Sequence, residues 1–299
     1  MTMDVRRLGP GDEAALEAFL RPRLASSMFL LSNMRQAGLV DTGARFSGTY
    51  AGAYEDGALV GVVAHYWLGN LIPQAPGCAG TLWRAAVAAS GRPVLGVVGP
   101  ADQAAAIIAA LEAEAAAAGQ ALERRIDKVE RLYTLPLEHM IVPEGLRSGR
   151  VVARRALEAD LDAIAAFQVA FDVEALGEES SPELEAANRD ASARGIAAGT
   201  VWVAEAGGVP VATTAFNAAI GEAVQVGGVY TPPALRGRGY ARCAVAASLL
   251  AARDAGVALG VLFTGEDNVA AQRAYQALGF EHIGGWRLML LREGFTLRM

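Results

Sequence analysis

The chain has 299 residues, of which 53% are hydrophobic and 19% are charged, so it can bury the cores of two domains and is not a disordered chain. Twenty-six basic residues against thirty-two acidic residues give a net charge of −6, which argues against a general binder of nucleic acids or anionic membranes. With two distant cysteines, three histidines, no signal-peptide core and no apolar run of about 18 residues, the sequence predicts a cytoplasmic protein without a local zinc motif.

The second half of the sequence repeats the beginning of the first. Asp12–Phe19 aligns with Asp160–Phe167 at an offset of 148, and a pair of arginines precedes each segment. Each copy favours a short strand followed by an amphipathic helix with an aspartate in its first turn, where the helix dipole stabilises a carboxylate. Further on, Tyr54–Gly57 matches Ala204–Gly207 at an offset of 150, and each segment is typical of a β-hairpin. We therefore predict a tandem duplication.

A third echo pairs Leu95–Val97 with Leu259–Val261, now at an offset of 164. The first copy is therefore shorter between its hairpin and this strand. In that interval the second copy holds Val229–Ala241, whereas the first copy has Gly69–Gly77, which lacks a basic residue and a Gly-x-Gly pattern. If this loop carries chemistry, only the second half retains it.

The boundary between the halves is expected near Pro143 and Gly149. Proline ends the strand predicted at Arg131–Leu135, and the residues from Gly145 to Gly149 have the composition of a short polar linker. Within the first half, the Ala-rich segment Ala101–Ala118 favours a helix.

The segment Arg236–Ala241 reads RGRGYA and follows a strand-like run and a Pro-Pro turn. Glycines let backbone N–H groups approach a ligand, a helix start supplies unpaired N–H donors, and two arginines add positive charge. These features fit an anion cradle suited to a pyrophosphate. Taken alone, a turn with a solvated basic helix start explains the segment as well.

A second motif follows at Asn268–Phe280. Asn268, Ala271 and Tyr275 lie at i, i+3 and i+7, so they share one helix face, with Gly265–Asp267 as the preceding loop and N-cap. An amide and a phenol separated by a small alanine would line a groove with two polar groups. A plain amphipathic helix with its tyrosine in the core is the alternative.

Together these motifs resemble the GNAT superfamily of N-acetyltransferases. Arg236, Gly239 and Ala241 meet its pyrophosphate signature Q/R-x-x-G-x-G/A, and Asn268, Ala271 and Tyr275 meet its second signature. The resemblance implies an α/β (mixed α+β) fold of two tandem GNAT-like domains, each a mixed, mostly antiparallel sheet flanked by helices. Residues 1–145 would form a degenerate domain without the pyrophosphate loop, and residues 150–299 would form a catalytic domain that binds acetyl-CoA.

The resemblance also implies roles for individual residues. A strand backbone would pair with the pantetheine arm, the loop would hold the pyrophosphate, and Asn268 would hydrogen-bond the pantetheine. Tyr275 would be the catalytic acid, because a protonated phenol can donate to the developing thiolate. The implied acetyl-CoA-binding residues are Val229, Tyr230, Thr231, Leu235, Arg236, Gly237, Arg238, Gly239, Tyr240, Ala241, Asn268 and Ala271.

The general base stays open in the sequence. Glu222, just before the strand, is the nearest carboxylate, although an exposed turn glutamate explains it too, and His282 and Cys243 are expected to be structural. An acidic stretch between Glu174 and Glu183 fits either a solvated helix face or a rim that attracts a cationic amine.

The first functional hypothesis is an acetyl-CoA-dependent N-acetyltransferase in which a small-molecule or peptide amine attacks the thioester directly, without a metal. One alternative is a non-catalytic module that binds acyl-CoA as a regulatory ligand, and another is a tandem transferase of the same fold with a different acyl donor. Specificity is expected in residues 171–200 and 216–224 and in the first half. A monomer is preferred, because a tandem duplication can bury within one chain the surface through which single-domain relatives dimerise.

Overall fold

The computed structural model describes residues 3–297 and divides into two compact units. The first unit contains the residues up to Arg131 together with those from Gly284 onward, and the second unit runs from Leu132 to Ile283.

The two halves of the sequence have the same order of elements: strand, two helices, three strands, helix, strand, helix and strand. This identity confirms the predicted duplication. The first copy consists of β1 (Asp4–Arg7), α1 (Glu13–Leu20), α2 (Leu24–Ala37), β2 (Gly48–Glu55), β3 (Ala58–Tyr66), β4 (Asn70–Gln74), α3 (Ala79–Ser90), β5 (Val94–Pro100), α4 (Ala101–Ala117) and β6 (Arg124–Pro136). After a short helix α5 (Glu144–Arg147), the second copy consists of β7 (Val152–Arg155), α6 (Leu161–Leu176), α7 (Pro182–Ala197), β8 (Val201–Ala206), β9 (Val209–Ala219), β10 (Ala223–Tyr230), α8 (Tyr240–Asp254), β11 (Leu259–Gly265), α9 (Val269–Gln276) and β12 (Glu281–Phe295).

Each unit has a mixed, mostly antiparallel sheet, as the sequence predicted. In the first unit the strands follow the order β1-β2-β3-β4-β5-β12, and only β4 and β5 pair in parallel among the pairs with a defined register. In the second unit the order is β6-β11-β10-β9-β8-β7, with β10 and β11 in parallel. In the first unit the antiparallel strand β12 follows the parallel pair, after β5, and in the second unit β6 stands next to β11.

The compact units do not coincide with the halves of the sequence. The end of the chain belongs to the first unit, because β12 pairs with β5 from Trp286 opposite Pro100 to Phe295 opposite Val94. The segment predicted as a polar linker belongs to the second unit, where it forms α5, and the Cβ of a residue at position 145 would lie 3.2 Å from the Cys243 sulfur. The boundary between the sequence halves at residues 145–150 stays a prediction. The compact units are instead divided after Arg131 and after Ile283.

Both predicted hairpins form, although Gly57 is the second residue of its turn and Gly207, its match in the sequence, is the first residue of the other turn. Asp56 and Gly57 have φ of 49° and 80°, and Gly207 and Gly208 have φ of 61° and 79°. Two consecutive positive φ angles define the type I′ turn that suits the twist of a two-residue hairpin.

The two matched aspartates have a role that differs from the predicted one. Asp12 and Asp160 precede helices α1 and α6 as N-cap residues and do not lie in their first turns. Their carboxylates accept hydrogen bonds from Arg6 and Arg154. A repeated Arg–Asp pair therefore holds the start of α1 and of α6, and the helix dipole is not the only interaction of these aspartates.

Helices and sheet enclose separate cores. In the first unit the predicted Ala-rich helix forms as α4 and buries Ile107, Ile108 and Leu111 in a cluster that also contains Trp83 of α3. In the second unit α8 and α9 pack on one face of the sheet, around Val226, Leu249 and Tyr275.

Candidate active site

The parallel strands β10 and β11 separate part-way along their length. Their register pairs Ala223 with Leu259, Val224 with Gly260 and Gln225 with Val261, whereas the rest of both strands, within the described residues, has no such pairing. Beyond Gln225, no backbone ladder joins the facing edges of the two strands, and side chains donate to the carbonyls of Val226, Gly227 and Gly228. An extended ligand can pair with edges of this kind as an added strand does.

A distortion of β10 accompanies this separation. The register against β9 shifts between Gln225 and Val226 and again between Gly227 and Tyr230. The Thr214 hydroxyl donates to the Gly227 carbonyl at 3.3 Å. Bulges of this kind bend a strand and are frequent beside active sites.

Gly227 and Gly228 make this bend possible. A Cβ at Gly227 would lie 2.0 Å from the amide nitrogen of Asn217, and Gly228 has φ of 56°. The Gln168 amide of α6 donates to the Gly228 carbonyl at 3.3 Å. Adjacent glycines inside a strand are a sequence signal for a bulge, and this signal could have pointed to Gly227 and Gly228.

Gln225 lies at the last paired position of the ladder. Its amide nitrogen donates to the Val226 carbonyl at 2.7 Å, so a side chain satisfies a backbone acceptor where β11 departs. The side chain is only 1% exposed, and its Oε1 atom has no hydrogen-bond partner. A buried oxygen of this kind is an unused acceptor for a donor group.

The loop after β10 has the conformation that its glycines predict. A 3₁₀ turn at Pro233–Leu235 leads to an extended Arg236, and Gly237 and Gly239 have φ of 78° and 80°. A Cβ at Gly237 would meet nothing within 4 Å, so space is open beside the loop. Helix α8 starts at Tyr240, and its N-cap residue Gly239 supplies no side-chain cap. The first N–H groups of α8 and the open loop thus fit an anionic group such as a pyrophosphate.

The Arg236 side chain contacts α6, the start of the loop and the end of β10. Its Nη2 atom lies 2.6 Å from Glu174 Oε2 of α6, and its Nε atom donates to the Thr231 carbonyl at 3.0 Å. The guanidinium also lies 5.7 Å from the centre of the Tyr230 ring. The hydrogen bond to Glu174 is the largest cause that raises the pKa of Arg236 above its ordinary value.

Other loop residues differ in where their side chains lie. Leu235 and Tyr240 are half-buried and pack against the small cluster around Cys243 and Ala244. Arg238 is exposed. The Thr231 hydroxyl is buried and has no hydrogen-bond partner.

Helix α9 brings the second motif to the strand β10. Tyr275 is 8% exposed and shares one hydrophobic cluster with Val226, Val229 and Ala271. Its ring meets Phe280 edge-on at 6.0 Å between ring centres. The second motif therefore shares a hydrophobic cluster with residues of β10.

Asn268 starts helix α9. Its Oδ1 atom accepts from the Ala271 N–H at 3.1 Å, so Asn268 is the N-cap, and the expected N-cap within Gly265–Asp267 is wrong. This bond uses the amide oxygen and fixes the orientation of the side chain. The amide NH₂ group is the part that can serve a ligand.

Glu222, His282 and Cys243, the other residues considered in the sequence, each have structural surroundings of their own. Glu222 precedes β10 at the end opposite the loop, about 26 Å of strand from Tyr230, and its carbonyl accepts from Leu259 N–H at 3.1 Å. The ring of His282 packs on Tyr133 at 5.5 Å. Cys243 is 2% exposed, and burial raises the pKa of its thiol.

A groove of about 810 Å³ lies between α6 and α7 of the second unit. Alanine and valine side chains such as Val169 and Val173 form its walls, and Glu174, Glu185 and Arg189 lie along it. Part of the acidic stretch therefore borders an apolar surface.

In residues 3–297 no group of three or more His, Cys, Asp and Glu side chains is arranged to hold a metal ion. Within the same residues no helix combines the length and the apolar character needed to cross a bilayer.

The corresponding region of the first unit differs in the side chains that lie beside its parallel strands. Strands β4 and β5 pair at Asn70–Gly96 and Leu71–Val97, and Pro73 then comes so close that a Cβ at Gly99 would be 2.8 Å from its ring. The N–H of Ala75, directly after β4, donates to the Gln103 side chain at 2.6 Å. A proline ring and a glutamine side chain of the first unit therefore lie beside these strands.

Residues 163–280 match the acetyltransferase (GNAT) family. This match over the second half of the chain confirms the resemblance drawn from the two motifs. The general activity of this family is acyl-CoA-dependent acetyl transfer. No curated protein matches the chain.

Solved structures of similar fold extend over almost the whole chain. A GCN5-related N-acetyltransferase from Sphaerobacter thermophilus is 16% identical, with a TM-score of 0.55 over 99% of this chain and 97% of that one. A tandem GNAT protein from the clavulanic acid biosynthesis pathway is 15% identical, with a TM-score of 0.54 over 96% and 98%. A Drosophila melanogaster protein is 12% identical, with a TM-score of 0.65 over 96% and 98%. At these identities the likeness concerns the fold, and it confirms two tandem GNAT-like domains.

Proposed function

We propose that the protein is an N-acetyltransferase that transfers an acetyl group from acetyl-CoA to a primary amine, with the coenzyme bound only in the second unit. The observation that carries this proposal is the end of the β10–β11 ladder at Gln225 and Val261, together with the open loop at Gly237–Gly239 that comes after β10. A free strand edge suits the amide groups of pantetheine, and a helix start preceded by glycines suits a pyrophosphate.

In this proposal the loop and the first turn of α8 bind the pyrophosphate mainly through backbone N–H groups. Arg236 and Arg238 add positive charge, and Val229, Tyr230 and Thr231 supply the strand edge that the pantetheine meets. The free NH₂ group of Asn268 lies at the start of α9 and binds the pantetheine arm, while Ala271 leaves room for it.

The chemistry is direct transfer. The neutral amine nitrogen bonds to the thioester carbonyl carbon and gives one proton to water, the carbon–sulfur bond breaks, and the leaving sulfur takes a proton. Tyr275 is the proton donor, because it lies in one cluster with Val226 and Val229 of the separated strand and a positioned phenol is an effective general acid. The amine must be neutral when it attacks, and Glu222 is unsuited to accept its proton because of its place at the far end of β10.

The acceptor is proposed to have an apolar body and a cationic amine, in a small molecule or a peptide. The groove between α6 and α7 supports this class, because its walls are apolar and two carboxylates, those of Glu174 and Glu185, lie along it. This reading favours the amine-attracting rim over the purely solvated helix face.

Coenzyme release tests the proposal. The purified chain is incubated with acetyl-CoA and a panel of aliphatic, aromatic and peptide amines, and free thiol and acetylated amine are both quantified. Equal amounts of the two products support acetyl transfer. Tight binding of acetyl-CoA without transfer to any amine would favour a regulatory acyl-CoA-binding module, and transfer only from other acyl donors would favour the third hypothesis.

A further inference from the structure

The ion pair between Arg236 and Glu174 connects two elements that are 62 residues apart in the sequence. Arg236 belongs to the loop after β10, and Glu174 belongs to the last turns of α6. The carboxylate oxygen lies 2.6 Å from Nη2, and both side chains are about half exposed, at 45% and 49%. The pair is therefore accessible to a competing anion.

The geometry leaves Arg236 only partly available to a phosphate. Its Nε atom is directed at the Thr231 carbonyl and one of its terminal nitrogens at Glu174. A pyrophosphate that approaches the loop meets a guanidinium whose charge a carboxylate already offsets. It also meets that carboxylate, which repels it at short range.

We propose that Glu174 competes with the coenzyme pyrophosphate for Arg236, so that coenzyme binding exchanges one anion for another at this guanidinium. This inference rests on the proposed function. Glu174 then acts as a positioning residue that weakens coenzyme binding and thereby favours release of the coenzyme product. Since exposed ion pairs contribute little energy, the effect is limited to a few-fold in affinity.

The competition depends on one contact and not on negative charge in general. Glu185 lies along the same groove as Glu174, but within residues 3–297 its carboxylate forms no hydrogen bond or ion pair with the loop. Arg238 lies two residues from Arg236 and is exposed. Glu185→Gln and Arg238→Gln are therefore matched controls for the two partners.

Calorimetric titration with coenzyme A at low ionic strength tests the inference. We expect Glu174→Gln to lower the dissociation constant by about two- to five-fold, which corresponds to an exposed ion pair. Glu185→Gln should leave it unchanged. In an Arg236→Gln background, Glu174→Gln should bring a clearly smaller gain, whereas in an Arg238→Gln background it should retain its full gain.

Each other result has a distinct meaning. Weaker or unchanged binding by Glu174→Gln would overturn the competition, as would an equal gain with and without Arg236 or an equal gain from Glu185→Gln. Thermal unfolding of each variant checks that the fold is intact. If neither the parent nor any variant bound coenzyme A, both the proposed function and this inference would be wrong. If the parent bound coenzyme A and Glu174→Gln bound it with the same dissociation constant, only this inference would be wrong.

Discussion

Arg154 donates two hydrogen bonds to the carboxylate of Asp160, at 2.7 and 3.0 Å. Arg6 and Asp12 form the same pair at 2.8 and 2.7 Å, at positions 148 residues earlier. In each copy the pair joins the first strand to the residue that starts the following helix. A bidentate arginine–carboxylate contact fixes geometry as well as charge, which explains why both copies of the repeat contain it.

Asp160→Asn is expected to destabilise the second unit by about 1–2 kcal/mol, because it replaces a charged hydrogen-bond acceptor of Arg154 by a neutral amide at a side chain that is 7% exposed. Urea unfolding followed by the fluorescence of Trp202 and the other tryptophans measures the change. Asp162→Asn is the control, since Asp162 is 84% exposed in its pair with Arg189, and it should change stability by less than about 0.5 kcal/mol. Equal effects of the two substitutions would contradict the structural role of the Arg154–Asp160 pair.

The stability of the first unit is expected to fall as the pH decreases below neutral, because His65 is fully buried. Burial, and secondarily the charge of Arg92, lowers the pKa of His65 from 6.5 to about 4. Above pH 6.5 both folded and unfolded chains hold a neutral imidazole, so the contribution is fully present. Between pH 6.5 and about 4 only the unfolded chain takes up the proton, so stability is lost over this window, to a limit of about 3 kcal/mol.

The measurement is the melting temperature against pH for the parent and His65→Gln. The variant should be less stable at pH 8, because it loses a packed ring and the bond to Ser90 at 2.7 Å, but its curve should be flatter between pH 6.5 and 4. Parallel curves would show that His65 does not titrate as its burial requires.

The repeat, the hairpins and the glycine loop could be predicted because each depends on residues close in the sequence. A positive φ at Gly237 and Gly239 follows from local chemistry, and so does the start of α8. The partner of Arg236 could not be found in this way, because Glu174 lies on another element and a surface carboxylate carries no sequence signal of its partner.

The separation of β10 from β11 and the assignment of β12 to the first unit were also beyond the sequence. The hydrophobic pattern of a strand indicates which of its residues are buried, but it does not indicate which other strand pairs with it. The apolar residues of β12, among them Trp286 and Met289, suit several neighbours equally, and only the register with β5 fixes their place.

Gly239→Val is expected to abolish coenzyme binding. The residue has φ of 80°, a conformation that a β-branched side chain does not adopt without strain, and a Cβ there would lie 3.1 Å from the Arg242 guanidinium. The loop must therefore change shape. Gly221→Ala is the control, because nothing lies within 4 Å of its added carbon and its φ is not positive. Coenzyme binding by Gly239→Val as tight as that of the parent would place the pyrophosphate elsewhere.

Tyr275→Phe is expected to lower the single-turnover rate of acetyl transfer by about 10²–10⁴-fold, since it removes one positioned proton donor. The affinity for acetyl-CoA should change little, because donation to the leaving sulfur acts in the transition state. Tyr133→Phe is the matched control, as Tyr133 lies in the same cluster and its hydroxyl has no hydrogen-bond partner. A Tyr275→Phe rate within twofold of the parent would leave Tyr275 a core residue without a catalytic role.

The central claim is that one coenzyme binds per chain, at the loop of the second unit. Calorimetric titration of the intact protein with acetyl-CoA tests it most directly, because the stoichiometry separates one open site from two. The account predicts one molecule per chain, since the side chains of Pro73 and Gln103 lie beside the parallel strands of the first unit. Two equivalent sites per chain, or no binding at all, would contradict it.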